Sequence, residues 1–195
     1  MDDPTQANDA IIDDYIEVEQ KFKLNDLKIA LEKIIGLGGV LRSTGEQRDI
    51  YFDGSERSFL ADPISSEWLR LRFQDEQVSL NYKLWHPLRS PAKTHCDEFE
   101  TFVSDGEAML RTLNALGYRE LVVVAKRREE WELGNVLIAI DEVDGLGNFI
   151  ELEYVGEGIS VAEAHSQLTA TVEALGLDLG PSHEGYPHQL LALSS

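Results

Sequence analysis

The stretch IEVEQKF at residues 16–22 alternates apolar and charged side chains, which is typical of a strand with two chemically different faces. Successive side chains of a strand point to opposite faces of the sheet. One face is apolar and carries Ile16, Val18 and Phe22. The other face is fully ionic and carries Glu17, Glu19 and Lys21. A solvated outer face and a charged interior would both explain this pattern, so the other predicted strands must distinguish them.

The same ionic alternation recurs on other segments that we predict to be strands. Glu-x-Glu appears again at 98/100 and 151/153, and paired basic residues appear at 70/72 and 126/128. The basic members of these faces are Lys21, Arg70, Arg72, Lys83, Lys126 and Arg128. The acidic members are Glu17, Glu19, Glu98, Glu100, Glu151, Glu153 and Asp141. An antiparallel sheet with one solvated face also alternates, but these faces are almost purely ionic and carry both signs.

Strand and helix signals place about eight strands and three helices on the chain. The predicted strands cover 14–23, 40–53, 67–74, 78–85, 97–103, 119–131, 136–142 and 149–155, and we expect a turn to break the second of them. The predicted helices run from a cap at Asn25 to about Ile35, over 105–116, and from a capping box of Ser160 and Glu163 to about Leu175. We expect residues 176–195 to form a loop, with or without a short final turn.

The order of these elements predicts an α+β fold. No parallel strand–helix–strand rhythm is present, so the strands should form a mostly antiparallel eight-stranded β-barrel with the helices packed outside. The chain has 195 residues, of which 43% are hydrophobic, and this is enough for a substantial core. We expect residues 1–13 to be a disordered acidic segment and residues 14–195 to form a single domain.

The strongly acidic composition restricts the partners of the protein. A formal net charge of -19 argues against binding to nucleic acid or to an anionic membrane surface. The chain contains no apolar run long enough for a membrane span, and its first residues lack the basic start and apolar core of a signal peptide. Cys96 is the only cysteine, so no disulfide can form within the chain and we expect a cytoplasmic protein.

If the ionic faces point inward, the chemistry of their ligand follows from their charges. An eight-stranded barrel encloses room for one small ligand. Buried charges lose several kcal/mol of hydration each, so a charged interior needs a ligand that compensates them. Clustered cations suit a chain of phosphates, and carboxylates between them suit divalent cations, which take oxygen ligands. The interior would then be a site for a metal ion and a triphosphate.

The order of the charged motifs resembles the CYTH superfamily, whose members are also called triphosphate tunnel metalloenzymes. The superfamily takes its name from a class IV adenylyl cyclase and a thiamine triphosphatase, and its signature is Glu-x-Glu-x-Lys near the N-terminus. The matching motifs are EVEQK (17–21), LRLR (69–72), NYK (81–83), EFE (98–100), KRR (126–128) and DEVDGLGNFIELE (141–153). The resemblance extends from about residue 14 to residue 155.

This resemblance implies a β-barrel tunnel and a role for each charged position. The six basic side chains named above would hold the triphosphate. The acidic side chains that would bind Mg²⁺ or Mn²⁺, directly or through water, are Glu17, Glu19, Glu151 and Glu153. The remaining acids, which would bind metal or orient lysines, are Glu98, Glu100 and Asp141. We expect Lys21, Lys83 and Glu19 to be catalytic. The parity of the strand turns Arg127 outward, unless a bulge at residue 126 exchanges it with Arg128.

Two reactions use such a tunnel, and they share the groups that hold the phosphates. A hydrolase lets water attack a terminal phosphorus, whereas a class IV adenylate cyclase lets the ribose 3′-hydroxyl of ATP attack the α-phosphorus. We favour a hydrolase of tripolyphosphate, thiamine triphosphate or a nucleoside triphosphate. The alternatives are the cyclase and a non-catalytic module that binds triphosphate or polyphosphate. An uncovered outer barrel face would also permit a homodimer.

Overall fold

The sheet of this protein contains ten strands, and every strand pair in the described chain is antiparallel. The computed structural model describes residues 10–62, 64–182 and 185–193. The strands are β1 (Ile16–Glu17), β2 (Glu19–Leu24), β3 (Val40–Gly54), β4 (Glu67–Gln74), β5 (Gln77–His86), β6 (His95–Phe102), β7 (Tyr118–Leu133), β8 (Val136–Val143), β9 (Gly147–Tyr154) and β10 (Leu179–Ser182). The helices are α1 (Leu27–Gly36), α2 (Gly106–Ala115), α3 (Val161–Leu175) and α4 (Tyr186–Leu193).

The segment IEVEQKF at residues 16–22 joins the two ends of the sheet. The strand order is β1-β6-β5-β4-β3-β7-β8-β9-β2-β10. Glu17 of β1 pairs with Cys96 of β6, and Lys21 of β2 pairs with Glu151 of β9. Only Val18 separates β1 from β2, so the pairings run in a closed circuit. With β1 and β2 counted as one interrupted strand and β10 set aside, this circuit confirms the predicted eight-stranded barrel.

The apolar faces of the strands point outward and are covered by helices. Val18, Ile138 and Leu152 are fully buried in a core cluster with Ile34 of α1 and Leu168 of α3. A second cluster packs α2 against β3, β4 and β5 on another side of the sheet. Burying each large apolar side chain stabilises the fold by roughly 1.5–3 kcal/mol. The ionic faces are therefore turned toward the space inside the sheet.

One end of that inner space is apolar rather than ionic, which the sequence analysis did not predict. Tyr51, Trp68, Val124 and Phe149 form a cluster there with Tyr186 of α4. On β7, Val124 shares the inner face with the charged residues that follow it, because side chains two residues apart point the same way. The inner face thus changes along the strands from an apolar end, capped by α4, to an ionic end.

The helix boundaries confirm most of the predicted ones and correct the first cap. The capping box of Ser160 and Glu163 is present at the start of α3. The cap of α1 is Asp26, whose carboxylate accepts a hydrogen bond from the Ile29 backbone N–H at 3.0 Å. The prediction of Asn25 as the cap is wrong, because its side chain donates to the Asp178 carbonyl instead. Asn25 and Asp26 are both suitable capping residues. The contact of Asn25 with Asp178 therefore decides which of them caps the helix.

Three other segments differ from their predictions. The predicted turn within 40–53 is absent from the described structure, because β3 pairs with both β4 and β7 and two register shifts absorb its irregularity. The tail predicted as loop contains β10, paired with β2, and the helix α4. Ile12, in the segment predicted to be disordered, is buried in the core beside α3. Residues 1–9 lie outside the described residues. None of the described helices is long and apolar enough to cross a membrane.

Candidate active site

The ionic faces of the strands meet on a cavity of about 790 Å³ inside the sheet. All six basic side chains predicted to hold phosphate line it, and so do the acids Glu17, Glu19, Glu98, Glu100, Glu151 and Glu153. Asp141 is fully buried and pairs across the strands with Arg128. Arg127 faces outward with a side chain that is 59% exposed, as the strand parity predicted. The alternation therefore sorts the charged residues correctly between the inside and the outside.

The acidic side of the cavity is arranged around Lys83. The Lys83 ammonium donates to Glu17 at 2.5 Å and to Glu19 at 3.3 Å, and it lies 3.6 Å from Glu98. Burial lowers the pKa of Lys83, but these three carboxylates outweigh burial and raise the pKa well above its usual value. Burial also raises the pKa of Glu17 well above its ordinary range, and it raises the pKa of Glu153 to about 7. The carboxylates on this side of the cavity carry more negative charge than the single ammonium of Lys83 can neutralise.

The four predicted metal ligands have different neighbours. Glu19 and Glu153 are cross-strand partners on β2 and β9. Glu151 instead contacts the Lys21 ammonium at 2.7 Å and Arg128 at 3.1 Å. Attraction to these cations outweighs burial and lowers the pKa of Glu151 well below its ordinary value. Glu151 is thus oriented toward the basic side of the cavity.

The carboxylate groups of the acidic side are of the chemical type that binds divalent cations. Carboxylate oxygens are the ligands that Mg²⁺ and Mn²⁺ prefer, and Glu17, Glu19 and Glu153 gather where negative charge is in excess. Within the residues that the structure describes, however, no three acidic, histidine or cysteine side chains converge on one point. Glu17 and Glu19 instead contact the Lys83 ammonium at 2.5 Å and 3.3 Å.

Two buried carboxylates orient the cations of the basic side. Asp141 of β8 accepts from Arg128 Nε at 2.7 Å and from Arg128 Nη2 at 2.6 Å, and Lys126 donates to it at 3.2 Å. Asp49 of β3 accepts from Arg72 Nε and Nη2, both at 2.7 Å. Burial raises the pKa of each aspartate, but the adjacent cations outweigh it and keep both carboxylates ionised. Such two-point pairs fix the plane of an arginine.

The cations of this side are crowded. Burial and the neighbouring Arg128 lower the pKa of Lys126 to about 7, although Asp141 acts in the opposite direction. The guanidinium of Arg70 makes no close two-point pair with a carboxylate, since its Nη1 lies 3.6 Å from Asp49 and its Nη2 lies 4.0 Å from Glu98. Its Nε is buried and has no hydrogen-bond partner among the described residues. This side therefore has positive charge that an anionic ligand would stabilise.

The residues of the site that the sequence did not predict include Asp49 and Tyr186, which contact its cations. Asp49 is the cross-strand partner of Arg72 and lies in the segment 40–53, where a turn was predicted to interrupt the strand. Tyr186 lines the cavity from a segment that was predicted to be loop. Strand parity could have identified Asp49, whereas the position of Tyr186 depends on tertiary packing that no local pattern indicates.

Comparison with known proteins identifies the family. A sequence model described as the CYTH domain matches residues 15–178. The chain belongs to the CYTH family. It is 35% identical over 138 residues to a Methanocaldococcus jannaschii protein named "Putative adenylate cyclase MJ0240", a match that covers 71% of this chain and 76% of that protein.

Solved structures show the same fold. The PH1819 protein of Pyrococcus horikoshii is 27% identical, with a TM-score of 0.76 over 92% of this chain and 99% of that one. The Hippeastrum protein HpAC1, a "putative adenylyl cyclase" described as revealing a dominant triphosphatase activity, is 18% identical with a TM-score of 0.62. That match covers 88% of this chain and 92% of HpAC1. At this identity, HpAC1 shows likeness in fold alone.

Proposed function

We propose that this protein is a metal-dependent hydrolase that acts on triphosphate compounds, namely tripolyphosphate, thiamine triphosphate or a nucleoside triphosphate. The observation that carries the proposal is the convergence of six basic side chains on one cavity. Two almost fully buried carboxylates hold three of these cations in fixed orientations. A chain of phosphates, with several negative oxygens in a row, is the ligand whose charge and length match this arrangement.

The basic side would bind the substrate. Arg70, Arg72 and Arg128 would donate to non-bridging phosphate oxygens, and Lys21 and Lys126 would neutralise further charge. Phosphoryl transfer depends mainly on positioning and on stabilisation of charge in the transition state. Arg70 contributes most directly, because its guanidinium is not committed to a two-point pair with a carboxylate.

The acidic side would direct the reaction at the phosphorus. Lys83, held by Glu17 and Glu19, would stabilise the charge that develops on the attacked phosphate. Glu17, Glu19 and Glu153, with Glu151 beside them, would hold Mg²⁺ or Mn²⁺, which would polarise the phosphate oxygens and acidify water when bound. We propose Lys21, Lys83 and Glu19 as the catalytic residues, because they lie where the two sides of the cavity meet.

Hydrolysis requires fewer binding contacts than cyclisation. It requires that the phosphate chain is held and that water reaches it. Cyclisation requires in addition that the nucleoside is held so that its 3′-hydroxyl faces the α-phosphorus.

A second candidate is the adenylate cyclase reaction. It is favoured by the name of the Methanocaldococcus jannaschii relative, which is 35% identical. The cavity also has aromatic walls besides its charged ones, since Trp68, Trp85 and His188 line it. An adenine ring can stack on such side chains, and each stacked base contributes about 1–3 kcal/mol.

A product assay tests both candidates. Metal-stripped protein would receive Mg²⁺ or Mn²⁺ with tripolyphosphate, thiamine triphosphate or ATP, and orthophosphate, pyrophosphate and cyclic AMP would be measured in each reaction. Orthophosphate without cyclic AMP would support the hydrolase, whereas cyclic AMP with pyrophosphate would support the cyclase. Triphosphate binding without any product would show a non-catalytic module.

Paired variants make the product assay specific for the cavity. Lys21→Ala should abolish turnover and leave the fold intact. Lys28→Ala is the matched control, because its ammonium is exposed on α1 and pairs at 3.8 Å with Glu32, which is exposed as well. Equal turnover by the parent and by Lys21→Ala would overturn the assignment of the cavity as the active site.

A further inference from the structure

Tyr186 connects the apolar end of the inner space with its cations. It is the first residue of α4 and lies beyond residues 15–178, which match the CYTH domain. Its side chain is buried, with its ring centroid 5.0 Å from that of Phe149 in an edge-to-face arrangement. The same side chain lines the cavity. Tyr186 therefore brings a segment outside the matched region into the candidate active site.

The Tyr186 hydroxyl shares a carboxylate oxygen with two cations. It donates to Asp141 Oδ2 at 2.7 Å. The same oxygen accepts from Arg128 Nη2 at 2.6 Å and from Lys126 Nζ at 3.2 Å. Three donors on one oxygen compete, and the Lys126 ammonium has the longest of the three contacts. The hydroxyl thus limits how closely Lys126 approaches Asp141.

The ring of Tyr186 contacts two cations of the cavity as well. The Lys21 ammonium lies 4.4 Å from the ring centroid, and the Lys126 ammonium lies 5.2 Å from it. Cations within about 6 Å of an aromatic face are attracted to it. Simple core packing would not need a hydroxyl here, because a buried hydroxyl is costly unless it is hydrogen-bonded. Both parts of the side chain therefore act on cations.

We propose that Tyr186 is a positioning residue that orients Lys21, Lys126 and Arg128 toward a bound triphosphate. The proposal rests on the proposed function of the cavity. Without the hydroxyl, Asp141 Oδ2 loses a donor and pairs more closely with Lys126, which draws that ammonium away from the cavity. Without the ring, Lys21 and Lys126 lose the surface that holds them at the end of the cavity nearest α4.

Two variants of Tyr186 separate these contributions. Tyr186→Phe removes only the hydroxyl, and Tyr186→Leu removes the ring as well. The matched control is Tyr82→Phe, which removes a tyrosine hydroxyl that donates to Glu67 at 2.7 Å on the outer side of the sheet. The probe is inorganic tripolyphosphate, with Kd measured by calorimetry and KM and kcat measured by release of orthophosphate.

Tyr186→Phe should raise Kd and KM about tenfold, as expected for one hydrogen bond to a charged group, and change kcat less than about threefold. Tyr186→Leu should raise Kd further, since it also removes two cation–π contacts. Tyr82→Phe should match the parent. A role in packing alone would instead lower the active fraction, so kcat would fall while KM and Kd stayed constant.

The outcomes distinguish this inference from the proposed function. Parent-like Kd values in both Tyr186 variants, or a loss confined to kcat, would overturn the role of Tyr186 and leave the hydrolase proposal standing. A parent protein that binds none of tripolyphosphate, thiamine triphosphate and ATP would overturn the proposed function, and the role of Tyr186 with it. Tyr186→Phe keeps the shape of the side chain, so the test does not depend on the folding of Tyr186→Leu.

Discussion

Replacing Asp49 by asparagine removes the carboxylate on which two cavity arginines converge. Arg72 donates to its two oxygens at 2.7 Å each, and Arg70 Nη1 lies 3.6 Å from it. The Asp49 side chain is 1% exposed, so water cannot take over these contacts. Asparagine has the same shape but lacks the charge and one acceptor oxygen. Asp49→Asn therefore leaves the Arg72 guanidinium, whose side chain is 13% exposed, without its charged partner, and it removes one of the two carboxylates near Arg70.

Breaking a buried ion pair by removing one partner costs about 3–5 kcal/mol. In a protein of this size, each kcal/mol shifts the unfolding midpoint by roughly 2–4 °C. We therefore expect Asp49→Asn to lower the midpoint by roughly 6–20 °C. Burial raises the pKa of Asp49, but the arginines outweigh it and lower the pKa in the folded state. The stabilisation is thus fully present above the unfolded pKa of about 3.9 and is lost as the pH falls below it.

Thermal unfolding followed by circular dichroism and calorimetry measures this loss at neutral pH and in acid. The control is Glu132→Gln, because Glu132 accepts from Arg42 Nε at 2.8 Å between β3 and β7 but lies on the surface. Exposed pairs of this kind contribute little to stability, so the control should unfold with the parent. Equal midpoints for the parent, Glu132→Gln and Asp49→Asn would refute the idea that Asp49 clamps the arginines.

Three further predictions concern Lys126, the bound metal and the cap of α3. Burial and Arg128 lower the pKa of Lys126 to about 7, so Lys126 loses its charge as the pH rises through this value. Calorimetry should therefore show that the affinity of the parent for tripolyphosphate weakens over this pH range, whereas the affinity of the permanently charged Lys126→Arg variant does not. Chelation of divalent cations should abolish turnover, and added Mg²⁺ or Mn²⁺ should restore it in an orthophosphate assay; full turnover after chelation would contradict a metal requirement. Ser160→Ala removes the side-chain acceptor of the Glu163 N–H and should lower the unfolding free energy by about 1 kcal/mol in urea titrations, while an unchanged value would show that the cap does not contribute.

The alternation of charged residues predicted the inside of the barrel because one rule applies to every strand. A side chain either joins the inner face or leaves it, as Arg128 and the outward-facing Arg127 show on β7. The outer apolar faces likewise follow from the sequence, since each strand supplies every second residue to the core. What joins the inner faces into one cavity is pairing between distant strands. The circuit through Val18 illustrates this, because no local pattern indicates that β1 and β2 pair with different ends of the sheet.

The parts that could not be predicted all depend on contacts between distant segments. Asp49 lies in a segment where Ser, Thr and Gly favour a turn, and pairing with two neighbouring strands overrides that preference. The short helix α4 has no capping signal or long apolar stripe in its sequence, and its place at the apolar end is fixed by packing on β7, β8 and β9. Asn25 and Asp26 are both good caps, so only the contact of Asn25 with Asp178 decides between them.

The most direct measurement is a calorimetric titration of tripolyphosphate into the parent protein, Arg128→Gln and Arg127→Gln. The two arginines are adjacent on β7, but Arg128 lines the cavity and Arg127 faces solvent. The parent and Arg127→Gln should bind tripolyphosphate with equal, salt-dependent affinity, and Arg128→Gln should bind at least about tenfold more weakly with its circular dichroism spectrum unchanged. Equal affinity in all three proteins, or no saturable binding to the parent, would contradict a triphosphate site inside the barrel.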